Sequence, residues 1–360
     1  MNSCVEICGP ITHNQRFGFQ DSTPEVPLTR RFAIPVGITA TGQHYPDRIV
    51  TNDELSRMVD TNNEWIMSRT GIRHRRWVEP GTGSSDLGVG ALRMALERRG
   101  MRADELDAII CCTVTPDMFF PCTAALIQDK IGASNCFGFD MNAACSSFLF
   151  GMTTGASLIA GGTVKKVAVV GCDVMTSIMD PTDRNTAVLF GDGAGAVILE
   201  QVEEGYGLLD YEHKIAGFGA PFLCMKAGGS VRPATAETVA NREHFIYQNG
   251  KEVFKNAVRE MAEVSRLMLD RNRINPSDLA LFVPHQANLR IMDAAAKRLE
   301  LPYERMASNI AEYANTTSAT LPTALHQSLE AGKVKKGDLI VFAAFGAGFT
   351  WGGSLMRWAV

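Results

Sequence analysis

FGDGAGAVIL, at residues 190–199, returns in altered form as FGAGFTWGGSLM at 345–356. Each is a glycine turn that closes one strand and opens another. Glycine suits such turns because it adopts backbone angles that other residues avoid. The echo extends outward. Adding 172 to residue 107 reaches 279, pairing the strand-like runs DAIICCT and LALFVPH, and the same step carries Cys145 to Thr317 within ANTTSAT. Short β-rich runs alternate with helical ones along the whole chain, the pattern of layered α/β architecture. The spacing predicts helices over 85–99, 122–131, 145–161, 250–271, 287–299 and 319–331. It predicts strands over 106–113, 137–141, 164–174, 279–284, 338–345 and 353–359, with another in GAVILEQV. Two copies of one α/β unit account for this better than two unrelated domains. The expected division is an extension at 1–31, a first half at 32–205 and a second at 206–360.

Composition narrows the function. The chain has 360 residues, 46% apolar and 21% charged, with a formal net charge of −4. That balance argues against a general nucleic-acid binder. No apolar run approaches the roughly 18 residues needed to cross a bilayer. Residues 1–31 lack a basic start followed by an apolar core, so no signal peptide is expected and they read as a flexible extension. Nine cysteines are present, with no CxxC and with Cys111 and Cys112 adjacent in an apolar run. This is neither a zinc framework nor a secreted disulfide scaffold, so reduced cytoplasmic thiols and no metal are expected.

Three polar residues stand at element boundaries. Cys145, in NAACSSF, begins a helix of small residues. A thiol there meets free N–H groups and the positive end of the helix dipole, a setting expected to stabilise thiolate; an inert buried cysteine is the alternative. His285, in FVPHQANLR, ends an apolar strand, where open α/β sheets present ligand-binding groups, although a structural histidine would also fit. Asn315, in YANTTSAT, precedes a helix start and is either an N-cap or a site residue. The turn AFGAGFTWGG offers backbone N–H groups to a developing oxyanion. NEWIMSRTGIRHRR places Trp65 near Arg69, Arg73, Arg75 and Arg76, which is either a solvated basic loop or a clamp for an anionic, adenine-bearing ligand. GDGAGA is followed by a strand rather than a helix, so it is not a dinucleotide fingerprint.

Together, DTNNEWIMSRTGI, FDMNAACSSF, DRNTAVLFGDGAGA, NGKEVFKNAV, VPHQANLRI, ANTTSAT and FGAGFTWG resemble, in order, the motifs of the β-ketoacyl-acyl-carrier-protein synthase III family. These are the initiating condensing enzymes of the thiolase superfamily. The likeness runs from about residue 32 to the C-terminus. It implies a thiolase-like fold of duplicated halves in αβαβα layers. It also implies decarboxylative condensation of a short acyl-CoA primer with malonyl-carrier protein, starting fatty acid synthesis in a cytoplasmic homodimer without metal or redox cofactor.

Position by position, the resemblance makes Cys145 the nucleophile and His285 with Asn315 the decarboxylation pair. The N–H groups of Cys145 and Ala347 would form the oxyanion hole. Trp65, Arg69 and Arg184 would bind coenzyme A, while Thr70, Asn185, Phe254 and Asn288 line its tunnel. Phe345 is expected at the acyl pocket, and Phe120 is expected to reach a partner's acyl pocket across the dimer interface. Lys255, Arg290, Lys297 and Arg298 would dock the acidic carrier protein. Ser147 and Ala347 stand where the family usually carries glycine, which implies a tighter helix start or acyl pocket at Ser147 and an effect on the pocket wall at Ala347.

A thiolase would need a late second cysteine, but the last here is Cys224. Elongating condensing enzymes carry histidine at the Asn315 position. Plant-type polyketide synthases lack this FGAGFTWG ending and RTGIRHR start. A cysteine hydrolase has no use for the arginine–tryptophan clamp, and a silent acyl-binding protein would have lost a site residue. A condensing enzyme of specialised metabolism would keep every motif.

Overall fold

The computed structural model describes residues 29–360. The extension expected at 1–31 therefore lies outside the described residues except for its last three. In the first half the strands are β1 (Val36–His44), β2 (Ile49–Thr51), β3 (His74–Arg76), β4 (Ala108–Cys112), β5 (Phe137–Met141), β6 (Val167–Asp173) and β7 (Gly193–Gln201). In the second they are β8 (Gly207–Ile215), β9 (Leu223–Met225), β10 (Ile246–Gln248), β11 (Leu279–Pro284), β12 (Leu339–Gly346) and β13 (Thr350–Arg357).

One sheet runs β1-β7-β6-β4-β5 and the other β8-β13-β12-β11. Strand directions repeat as well: antiparallel at β1/β7 and β7/β6, parallel at β6/β4 and β4/β5. The second sheet is antiparallel at β8/β13 and β13/β12 and parallel at β12/β11, and a parallel bridge from Phe282 to Met306 stands where β5 would be.

Three buried clusters separate the layers. Between the sheets lie the helices Ser147–Ala160 and Thr320–Glu330, where Phe148, Leu149, Leu321 and Leu325 meet Val197 and Ile110 of one sheet and Leu281 and Phe342 of the other. Outside the first sheet, helix Ser84–Arg99 buries Leu92 and Leu96 against Ile109 and Ile198. Outside the second, Gly250–Arg271 and Leu289–Arg298 bury Met261, Met268 and Met292 against Phe282 and Val341. The centre is tight: a Cβ on Gly151 would lie 2.6 Å from the Cys112 Sγ. β4 and β6 are buried throughout, as expected of parallel strands covered on both faces.

The duplication is one residue out of the expected phase. A 3-10 turn at Ala144–Ser146 precedes one central helix, and its counterpart at Thr317–Ala319 precedes the other. Cys145 therefore corresponds to Ser318 at an offset of 173, not to Thr317. β11 also carries one extra residue relative to β12, between Leu279 and Leu281.

β1 and β8 were not expected from sequence. β8 reads GLLDYEHKI, an edge strand with two buried carboxylates, Asp210 and Glu212. The reason is Arg271, whose guanidinium donates to both carboxylate oxygens of Asp210 at 2.7 Å and to Glu212 at 3.0 Å. Buried carboxylates are tolerable when paired and hydrogen-bonded in this way. Arg30, at the edge of the described chain, adds a main-chain N–H to Asp210 at 2.9 Å.

Candidate active site

β5 ends in a turn that presents Cys145. Ala144 there has φ +49°, a left-handed conformation that costs a residue with a side chain about 1–3 kcal/mol. Neighbouring hydrogen bonds hold it. The Ala143 N–H donates to the Ser147 Oγ at 2.7 Å, and that hydroxyl donates to the Ala144 carbonyl at 2.7 Å. From β13, the Thr350 Oγ1 donates to the Ala143 carbonyl at 2.7 Å. Gly346 makes the approach possible, since a Cβ there would sit 2.7 Å from the Cys145 nitrogen.

Ser147 thus braces the turn that carries Cys145. It is not among the residues lining the cavity, so the expected effect on the acyl pocket is not direct.

The expectation of a thiolate favoured by the helix dipole also changes. The α-helix begins at Ser147, two residues after the cysteine. Burial, with a contribution from the Asp173 carboxylate, pushes the Cys145 thiol up to about 12. The resting group is a neutral thiol. Asp173 itself is fully buried behind the site. It accepts from the Val114 N–H at 2.8 Å, the Thr115 hydroxyl at 2.9 Å and the Ser318 hydroxyl at 2.6 Å.

His285 follows β11. Its main-chain N–H donates to the Ala343 carbonyl at 2.8 Å, and its Nδ1 lies 2.7 Å from the Thr320 Oγ1. Burial lowers its pKa to about 3, so the imidazole is neutral in the physiological range. Asn315 reconciles its two readings. Its Oδ1 accepts the Thr317 N–H at 2.9 Å, as a cap would, which leaves the amide NH₂ as the end available to the cavity.

Cys145, His285 and Asn315 all line one cavity of about 1040 Å³. Its wall also includes Trp65, Arg69, Thr70, Asn185, Phe254, Asn288, Phe345 and Ala347. Asn288 caps the helix Leu289–Arg298 through its Oδ1 while its Nδ2 donates to the Arg69 carbonyl at 3.0 Å, tying the two sides of the tunnel together. Val253, Ala257 and Met261 line it too. Their i, i+4, i+8 spacing on one helix was the legible signal for them.

Several expected residues stand elsewhere. Arg184 is not in the wall; its guanidinium lies 5.1 Å from the centre of the Trp65 ring and donates to the Asp60 carbonyl. Arg75 cannot meet a phosphate, because it is fully buried, donating to the Asn52 Oδ1 at 2.7 Å and the Val188 carbonyl at 3.0 Å. Arg76 lies over the Tyr313 ring. Phe120 is outside this chain's cavity and 85% exposed, beside Phe119 at 87%. Lys255, Arg290, Lys297 and Arg298 are exposed, with Arg290 at the cavity mouth against the Phe254 ring.

GDGAGA is a strand-opening turn: Asp192 is buried and accepts the Val78 and Thr176 N–H groups, both at 2.9 Å. Cys111, Cys112, Cys122, Cys136, Cys145 and Cys172 are free thiols. No helix among those residues is long and apolar enough to cross a membrane.

Known proteins resemble this chain in sequence and fold. Residues 269–358 match the family profile described as 3-oxoacyl-[acyl-carrier-protein (ACP)] synthase III C terminal, and residues 139–217 match 3-oxoacyl-[acyl-carrier-protein (ACP)] synthase III. The chain is 52% identical over 325 residues to the β-ketoacyl-[acyl-carrier-protein] synthase III of Solibacter usitatus, covering 89% of this chain and 98% of that protein. The crystal structure of the Thermus thermophilus synthase III superposes with a TM-score of 0.84 at 39% identity, covering 89% of this chain and 99% of that one. The priming β-ketosynthase of the R1128 polyketide pathway superposes at 0.83 with 32% identity, covering 94% and 99%.

Proposed function

The chain belongs to the 3-oxoacyl-[acyl-carrier-protein] synthase III family, and from that premise we propose that its cavity joins an acyl-CoA primer to malonyl-carrier protein with loss of CO₂. The observation that carries this reading is the meeting of Cys145, His285 and Asn315 in one cavity with Trp65 and Arg69.

In the first half-reaction the Cys145 sulfur attacks the primer's thioester carbonyl and the C–S bond to coenzyme A breaks. The thiol proton ends on the departing CoA sulfur, so no net proton is consumed. The N–H groups of Cys145 and Ala347 are assigned to the tetrahedral oxyanion, a use of pre-aimed dipoles that costs no reorganisation.

In the second half-reaction the malonyl C–C bond breaks, CO₂ leaves, and the electron pair spreads onto the thioester oxygen as an enolate. The neutral His285 ring, through an Nε2–H, and the Asn315 NH₂ are the donors assigned to that oxygen. The enolate carbon then attacks the acyl-cysteine, and the expelled Cys145 sulfur regains a proton from solvent. Side chains and main-chain groups carry both steps as covalent, ping-pong catalysis, with no metal or redox cofactor required.

The basic residues Lys255, Arg290, Lys297 and Arg298 are proposed to receive the carrier protein at the mouth. The exposed Phe119 and Phe120, together with the exposed start of edge strand β5 at Phe137, support a homodimer in which Phe120 enters the partner's acyl pocket. The halves are proposed to divide at 205/206, in the turn between β7 and β8. A cytoplasmic setting fits free thiols.

Likeness to a polyketide priming ketosynthase keeps a role in specialised metabolism as a second reading. Intact-protein mass spectrometry after incubation with mixed acyl-CoAs tests both. The mass added at Cys145 identifies the primer, and absence of any adduct overturns the proposal.

A further inference from the structure

The Thr320 hydroxyl has one hydrogen and two claimants. Its Oγ1 lies 2.7 Å from the His285 Nδ1 and 3.0 Å from the Thr317 carbonyl oxygen. The two choices leave the histidine in different tautomers, because a neutral imidazole carries one N–H and one lone pair. If the hydrogen goes to the carbonyl, Nδ1 must hold the ring proton and a bare Nε2 lone pair is left for the cavity. If it goes to Nδ1, the ring proton sits on Nε2.

Three observations favour the second choice. The Thr317 carbonyl already accepts the main-chain N–H of Thr320, so it is satisfied without the hydroxyl. The contact to Nδ1 is the shorter of the two. A lone pair on Nε2 would also face the developing enolate oxygen, where a donor is needed.

The geometry is rigid. His285 and Thr320 are both buried. The next residue, Gln286, is clamped, with its Nε2 donating to the Pro284 carbonyl at 2.7 Å and its Oε1 accepting the Asn309 N–H at 3.0 Å.

We propose that Thr320 is a positioning residue for the condensation half-reaction: its hydroxyl donates to the His285 Nδ1 and holds the ring proton on Nε2. This rests on the reading of His285 as an enolate donor. It links two elements, because Thr320 opens the central helix that follows the Asn315 turn. Both donors to the enolate oxygen are therefore set from one segment, 315–320.

Nitrogen NMR of ¹⁵N-histidine-labelled protein, with His285 identified by the signals lost in His285→Ala, reads the tautomer directly. Protonated Nε2 with bare Nδ1 is expected; protonated Nδ1 overturns the proposal whatever the variants do. Thr320→Val should slow CO₂ release from malonyl-carrier protein about tenfold, the worth of one hydrogen bond. It should leave acylation of Cys145 by acetyl-CoA unchanged, and Thr320→Ser should restore the rate. Wild-type CO₂ release in Thr320→Val also overturns it. Unimpaired CO₂ release in His285→Ala removes the reading of His285 on which the proposal stands, and the proposal with it.

Discussion

The turns at 143–147 and 316–320 are two copies of one device put to different ends. Both hold a non-glycine residue in the left-handed region, Ala144 at φ +49° and Thr317 at φ +53°. Both are approached by a glycine of the neighbouring sheet: a Cβ on Gly346 would meet the Cys145 nitrogen at 2.7 Å, and one on Gly171 the Ser318 carbonyl oxygen at 2.5 Å. They differ in what the equivalent side chain does. Cys145 lines the cavity, whereas the fully buried Ser318 hydroxyl donates to Asp173 at 2.6 Å, with the Cys112 carbonyl 2.7 Å away. One copy turns its side chain toward the cavity; the other satisfies its polar group within the buried framework. Strain at a turn thus marks a position that can carry chemistry, and the neighbours decide whether it does.

The comparison fails most visibly if Cys145 is dispensable. Cys145→Ala should abolish covalent acylation, and any adduct in the intact mass spectrum of that variant would place the nucleophile elsewhere. Asn315→Ala comes next. Loss of one pre-aimed donor typically costs about 10²–10³-fold, so CO₂ release should fall by that much while acylation of Cys145 continues. Condensation at the wild-type rate would remove Asn315 from the mechanism.

A third test separates the half-reactions by pH. With the Cys145 thiol near 12, acylation should climb with pH across the working range, as its thiolate fraction does. With His285 near 3, CO₂ release should show no histidine titration between about pH 5 and 8. The same depressed pKa means that the folded protein binds fewer protons than the unfolded chain. Stability from this group is complete above about 6.5 and is lost as pH falls toward about 3. A step near 6.5 in the decarboxylation profile would show that the ring is not neutral by burial.

The smallest effect expected is at the framework copy. Ser318→Ala should cost about 1–3 kcal/mol in chemical denaturation, the penalty of leaving buried partners short of a donor, with Cys145 acylation unchanged. A loss of acylation without loss of stability would make the second turn part of the chemistry.

Much of this was legible from local pattern. Cys145, His285 and Asn315 each sit where a strand or turn meets a helix, and such boundaries are marked by composition and periodicity. What escaped depended on partners far away in sequence. β8 was not read as a strand, because the buried partner of its Asp210 and Glu212 is Arg271, about sixty residues on. Arg75 looked like a phosphate ligand because nothing near it announces burial under Val188. The thiol of Cys145 was expected low from its own helix, yet desolvation by the assembled fold sets it high. Of the two effects expected of Ser147, on the helix start or on the acyl pocket, its hydrogen bonds to Ala143 and Ala144 fit the first.

The extra residue in β11 bears on anyone recombining the two halves. Across it the register against β12 shifts by one, from Leu279 opposite Leu339 to Leu281 opposite Ile340. Because strand side chains alternate faces with period two, a graft cut at one constant spacing would be out of phase for part of its length. Its core-facing residues would point to the wrong side, so a successful chimera must carry the splice point across Ala280 with the bulge intact.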